Sequence, residues 1–111
     1  MNILTMAEKL GFDVVCSGEG GEKSASSVYC CDLLSIVMGR AKADSAWITV
    51  MANTNTIAVA VLADVACVIL SEGVNLDDMA LKKAESQGVC VLKSELPTFE
   101  IAVNVASILG L

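Results

Sequence analysis

Residues 45–71 read SAWITVMANTNTIAVAVLADVACVILS, and the class of fold turns on how that run divides. It opens with Trp47 to Ala52, β-branched in its middle and nearly all apolar, as suits a strand covered on both faces. A polar turn, Asn53-Thr54-Asn55-Thr56, follows. From Ile57 to Leu70 only Asp64 interrupts the apolar residues. Fourteen residues is too long for one ordinary strand, and Asn55 and Thr56 are good helix caps. The run therefore divides near Asp64, into a helix from Thr56 to Val65 and a strand from Cys67 to Ser71. Strand, helix, strand in that order is the unit of a parallel sheet.

The same alternation extends in both directions. Thr5-Met6-Ala7-Glu8 has the form of a capping box, and Gly11 supplies a stop, which predicts a short first helix. Asp13 to Cys16 reads as a brief strand, and the glycine-rich stretch GEGGEKSAS as a flexible, solvated loop. Asp32 to Lys42 carries apolar residues at helical spacing, with Asp32 opening the helix. Asn75 caps a helix with Asp77 and Asp78 in its first turn, and Gly88 ends it. Val89 to Leu92 is a strand, and Thr98 to Leu109 a final helix. The expected architecture is a single α/β domain over residues 1–111, with a mainly parallel sheet of about four to five strands and helices on both faces.

Composition excludes several function classes. Apolar residues are 55% of the 111, charged residues 18%, and the net charge is −6. So apolar a chain offsets its ordering entropy and is not disordered. The seven basic residues are scattered, with only Lys82 and Lys83 adjacent, which argues against a nucleic-acid partner. Histidine is absent, and with it the commonest general base, the commonest zinc ligand and a Ser-His-Asp triad. No residue is assigned a catalytic or metal-ligating role, and no cofactor is expected. The start, MNILTMAEKLGF, lacks the basic and apolar regions of a signal peptide. Ser45 to Ala63 is uncharged for 19 residues, but Asn53 to Thr56 would be a costly polar plug in lipid. A cytoplasmic, non-membrane protein is expected.

Motif tests narrow the chemistry further. GEGGEKS fails as a phosphate loop, because Glu22 stands where glycine must precede the lysine and Glu19 and Glu22 would repel phosphate. Of the five cysteines, Cys16, Cys67 and Cys90 fall in apolar strand-like runs and read as small buried hydrophobes. Cys30 and Cys31 adjoin Asp32, which works against a thiolate there. Asp32 and Asp64 are each embedded in apolar sequence, either as a helix opener and a solvent-facing helix turn or as desolvated carboxylates at a pocket or interface. Sites in parallel sheets form beyond the strand carboxyl ends. The candidate ligand-binding residues there are Asn53, Thr54, Asn55, Thr56, Ser71, Gly73, Ser94 and Thr98, with the N–H groups of the helix after Asn55 aimed at an anion. The apolar surplus also calls for a partner surface. Two helices, apolar on more than one stripe, offer Ile101, Val105, Ile108, Ile57 and Val61 as candidate interface residues.

The stretch Tyr29-Cys30-Cys31-Asp32-Leu33-Leu34-Ser35-Ile36-Val37-Met38-Gly39-Arg40-Ala41 resembles a segment of small bacterial and archaeal DRTGG-domain proteins. Trp47 to Val50, Asn55 to Ala60 and Thr98 to Ala102 fit the same family in order and spacing. The chain departs from the signature at two turns. Asn53-Thr54-Asn55 stands in place of an Asp-Arg pair, and Ser71-Glu72-Gly73 in place of Thr-Gly-Gly. Members resemble the N-terminal domain of HPr kinase/phosphorylase, and related domains accompany cystathionine-β-synthase-type (CBS) modules in regulated pyrophosphatases. The resemblance implies an α/β fold that often dimerises and a regulatory or interaction role. It implies no kinase activity, because the kinase's catalytic P-loop domain has no counterpart here. Three functions follow as expectations. The first is a non-catalytic dimeric regulatory module, partnered by a second copy or another protein. The second is a small-ligand (metabolite or nucleotide) sensor, and the third a redox or iron–sulfur accessory using Cys30 and Cys31.

Overall fold

Two of the sheet's strands are buried end to end, and the helices arrange themselves around that fact. The computed structural model describes all 111 residues. In chain order the elements are α1 (Ile3–Leu10), β1 (Asp13–Cys16), a 3-10 turn (Glu19–Glu22), β2 (Ser27–Cys30), α2 (Leu34–Arg40), β3 (Ser45–Thr49), α3 (Thr54–Ala63), β4 (Cys67–Leu70), α4 (Asp78–Gln87), β5 (Val91–Lys93) and α5 (Thr98–Ile108). The sheet order is β1-β5-β4-β3-β2. The pairs from β2 through β5 are parallel, and β1 runs antiparallel along β5. Every residue of β3 and β4 is buried, which is why both strands read as unbroken apolar runs.

The two faces carry separate cores. On one, α1 and α5 press Ile3, Met6, Ile101 and Val105 onto Ile48, Ile69 and Leu92. On the other, α2, α3 and α4 bring Val37, Ile57, Ala80 and Ala84 against Trp47, Val68, Leu70 and Val91. The mainly parallel sheet with helices on both faces is therefore as expected.

Several local expectations are corrected. The cap of α1 is Asn2, whose side chain accepts from the Thr5 N–H at 2.9 Å, so Thr5 lies inside the helix. Strand β2 falls just after the expected loop, in residues to which no element was assigned. Helix α2 starts at Leu34 and leaves Asp32 outside. Helix α4 is capped by Asp77 and not by Asn75. Asp64 ends α3 as a left-handed cap at φ 54.

The glycine-rich segment is not a solvated loop. Gly20 and Gly21 are buried. At Gly18 (φ +50) an added Cβ would stand 2.6 Å from the Gly88 carbonyl carbon, so backbone packs directly on backbone there. Lys23, next to that turn, pairs with Asp64 at 3.0 Å, but both are too solvent-exposed for the pair to stabilise the fold much.

The candidate interface residues are corrected too. Ile101, Val105 and Ile57 are fully buried in the cores and cannot meet a partner. Ile108 is half-buried against the first core, and only Val61 is exposed. The outward stripe of α5 is instead Phe99 and Val103.

Candidate functional site

At the carboxyl ends of the parallel strands, neighbouring loops part. The loops after β2, β3 and β4 lead to helices on one face, and the loop after β5 leads to α5 on the other. The parting falls between β4 and β5, the position where open α/β sheets form crevices. Ser71, fully buried, and Thr98 share a hydrogen bond of 2.6 Å across that gap. The backbone reinforces it. Gly73 N–H donates to the Ser94 carbonyl at 3.0 Å, Glu72 N–H to Leu96 at 2.9 Å, and Ser94 N–H to Leu70 at 2.9 Å. Four of the eight candidate residues, Ser71, Gly73, Ser94 and Thr98, thus form one cluster.

The other four lie in the turn after β3. The Asn53 side-chain oxygen accepts from the Asn55 and Thr56 N–H groups at 2.9 and 3.2 Å. Asn53 therefore occupies the donors that a phosphate at the α3 N-terminus would need, against the expectation for an anion there. Thr56, fully buried, donates its hydroxyl to the Met51 carbonyl at 3.0 Å. Thr54 is half-buried and Asn55 exposed. This turn joins the first cluster through Ser71 N–H, which donates to the Thr49 carbonyl at 3.2 Å.

Asp32 was missed as a member of this end of the sheet. Its carboxylate accepts from the buried Thr49 hydroxyl at 2.7 Å and from the Val50 N–H at 3.0 Å. Asp32 thereby ties the end of β2 to the end of β3. The one signal in the sequence was a carboxylate set in apolar residues, and its partner is 17 positions away.

Charge at this end is negative. Asp32, Glu72, Glu95 and Glu100 follow the strands, and Lys93 is the cation among them, donating to Asn75. The polar side chains of the crevice are mostly paired with one another. A ligand entering there must break protein hydrogen bonds to make its own.

The cysteines divide by burial. Cys16, Cys67 and Cys90 are buried and Cys30 is exposed. Burial pushes the Cys67 thiol well up and the Cys90 thiol up to about 12. Cys30 is raised too, by partial desolvation of its otherwise exposed side chain and then by the Asp32 charge, which works against a reactive thiolate. No three His, Cys, Asp or Glu side chains gather closely enough to hold a metal ion. No helix is long and apolar enough to cross a membrane.

A second feature lies on the helical face. An open apolar groove of about 350 Å³ runs between α2 and α3, lined by Leu34, Met38, Ala58, Val59 and Leu62 with Ser35 and Asn55. Leu33, Ile36, Met38, Val61 and Leu62 on and beside these helices are exposed, Leu62 to 69%.

The model of the family described as the DRTGG domain matches residues 5–108. Among solved structures, the chain is similar to the CBS and DRTGG domains of the regulatory region of Clostridium perfringens pyrophosphatase, complexed with its activator, diadenosine tetraphosphate. The TM-score is 0.70 at 10% identity, over 94% of this chain and 45% of that chain. The chain thus spans less than half of that region, and at this identity the likeness is one of fold. No curated protein sequence matches the chain.

Proposed function

The chain belongs to the DRTGG-domain family, and from that premise we propose that it is a non-catalytic regulatory module that works as a homodimer. The observation that carries this is the apolar outer face of α2 and α3. Met38 and Leu62 line a groove there and stand in solvent, with Leu33, Ile36 and Val61 exposed elsewhere on or beside the same two helices. Burying the exposed part of such a side chain in a dimer contributes roughly 1–2 kcal/mol before the costs of association. A shared two-fold axis lets the Leu62 ridge of one copy enter the groove of the other. An NMR dilution series tests this. The methyl groups of Met38 and Leu62 shift with concentration if this face pairs. Shifts confined to Phe99 and Val103 overturn it.

A small-ligand sensor at the carboxyl ends is the second reading. It is favoured by the Ser71–Thr98 bridge at the place where the loops part. The likeness to a regulatory region that holds a nucleotide activator supports sensing in general. The surrounding carboxylates favour a neutral or cationic ligand over a polyphosphate. Thermal unfolding with and without adenosine, which is neutral, tests it. A rise in Tm that Ser71→Ala abolishes supports the sensor and an unchanged Tm counts against it, while diadenosine tetraphosphate, as the polyphosphate control, leaves Tm unchanged.

A further inference from the structure

The sheet has two edge strands, β1 and β2, and at β2 the phase of the ladder says which groups face outward. Ser71 N–H donates to the Thr49 carbonyl, so Thr49 and, by alternation, Trp47 turn their backbone groups toward β4. Ala46 and Ile48 then turn theirs toward β2. In parallel pairing those two bond the residues flanking their register partners, Val28 and Cys30. The N–H and C=O of Val28 and Cys30 are left pointing away from the sheet. Such an edge is a template for another strand.

Chemistry beside the edge selects the strand. A cavity of about 280 Å³ is lined by Ser27, Val28, Tyr29, Arg40 and Lys42. Arg40 and Lys42 are both exposed, and neither has an ion-pair partner. They are two of only seven basic residues in a chain of net charge −6. A second copy of β2 laid along this edge would bring Arg40 and Lys42 against their own counterparts, which repels. A strand with carboxylates beside Val28 would meet two unpaired cations, whereas carboxylates beside Cys30 would be repelled by that of Asp32.

We propose that the free edge of β2 receives an extended acidic segment of a partner protein, added to the sheet as a further strand. Its backbone pairs with the outward groups of Val28 and Cys30, and its carboxylates at alternate positions reach Arg40 and Lys42. This surface is separate from the α2–α3 groove and does not depend on the dimer.

The test uses two labelled hexapeptides, Glu-Val-Glu-Val-Glu-Val and Lys-Val-Lys-Val-Lys-Val, with the full chain. The acidic peptide binds with Kd below about 1 mM, more weakly as salt is raised. Arg40→Glu combined with Lys42→Glu weakens it at least about tenfold. Both positions are exposed, so the fold is retained, and a matching amide NMR spectrum checks that. On titration the Val28 and Cys30 amides shift, and the already bonded Tyr29 amide moves least. The proposal is overturned if both peptides bind equally, if the double variant binds as before, or if the shifts fall elsewhere. It is also overturned if the Val28 amide is protected from hydrogen exchange before peptide is added, because a second copy then holds the edge.

Discussion

The hydroxyls of Ser71 and Thr98 meet at 2.6 Å, joining the loop that leaves β4 for one face of the sheet to the loop that leaves β5 for the other. Ser71 is fully buried, so its hydroxyl has no water to fall back on. Thr98→Val leaves that hydroxyl unpaired and is expected to destabilise the fold by about 1–3 kcal/mol. Ser71→Ala combined with Thr98→Val removes both partners and is expected to cost less than the sum of the single changes. Urea unfolding of the four proteins measures the coupling, and strict additivity would show that the pair contributes nothing jointly.

Gly73 gives a second prediction about the same crevice. Its φ is +70, and a Cβ there would collide with the Glu95 carboxylate. Gly73→Ala is expected to destabilise by about 1 kcal/mol from backbone strain, with little added by the collision because the exposed Glu95 side chain swings aside. Adding Glu95→Ala should recover the part due to collision and leave the part due to φ. A full recovery in denaturant unfolding would mean that the backbone strain is negligible.

How much of this was legible beforehand depends on whether the cause was local. The buried run from Cys67 to Leu70 and the stop at Gly88 (φ +70) are set by neighbours in sequence, and both were read correctly. Strand β2 was not, because only Val28 and Tyr29 favour a strand, and the pairing comes from β3 some 18 residues on. The same omission hid the role of Asp32, which is understood only once β2 and β3 lie side by side. That Ser71, Gly73, Ser94 and Thr98 lie together at the strand ends follows from the topological rule alone, since the strand ends fix their place. The side of a helix facing the sheet was harder. Along α5, apolar residues occur on two stripes, and sequence could not decide that Ile101 and Val105 point inward while Phe99 and Val103 point out. Ile101→Ala is therefore expected to cost about 2–5 kcal/mol in unfolding free energy, as a core cavity. A cost below about 0.5 kcal/mol would contradict its placement.

The thiols supply a pH dependence. The Cys90 thiol rises from an ordinary 9.0 to about 12 on burial, and Cys67 is raised in the same direction. Between those values the folded chain keeps protons that the unfolded chain has lost. The resulting contribution to stability is complete below about pH 9 and is lost as pH rises toward 12. At pH 8 a thiol reagent should titrate Cys30 and Cys31 in the native protein, and all five cysteines only in denaturant. Rapid native reaction of Cys67 would contradict its full burial.

The most direct test of the central claim is the mass in solution of the wild-type chain and of Leu62→Glu, by light scattering at low micromolar concentration. Leu62 is 69% exposed, so a charge there leaves the fold intact. A homodimer paired through α2 and α3 gives twice 11.5 kDa for the wild type and 11.5 kDa for the variant. A wild-type mass of 11.5 kDa, or a variant that stays at twice that value, would contradict the account.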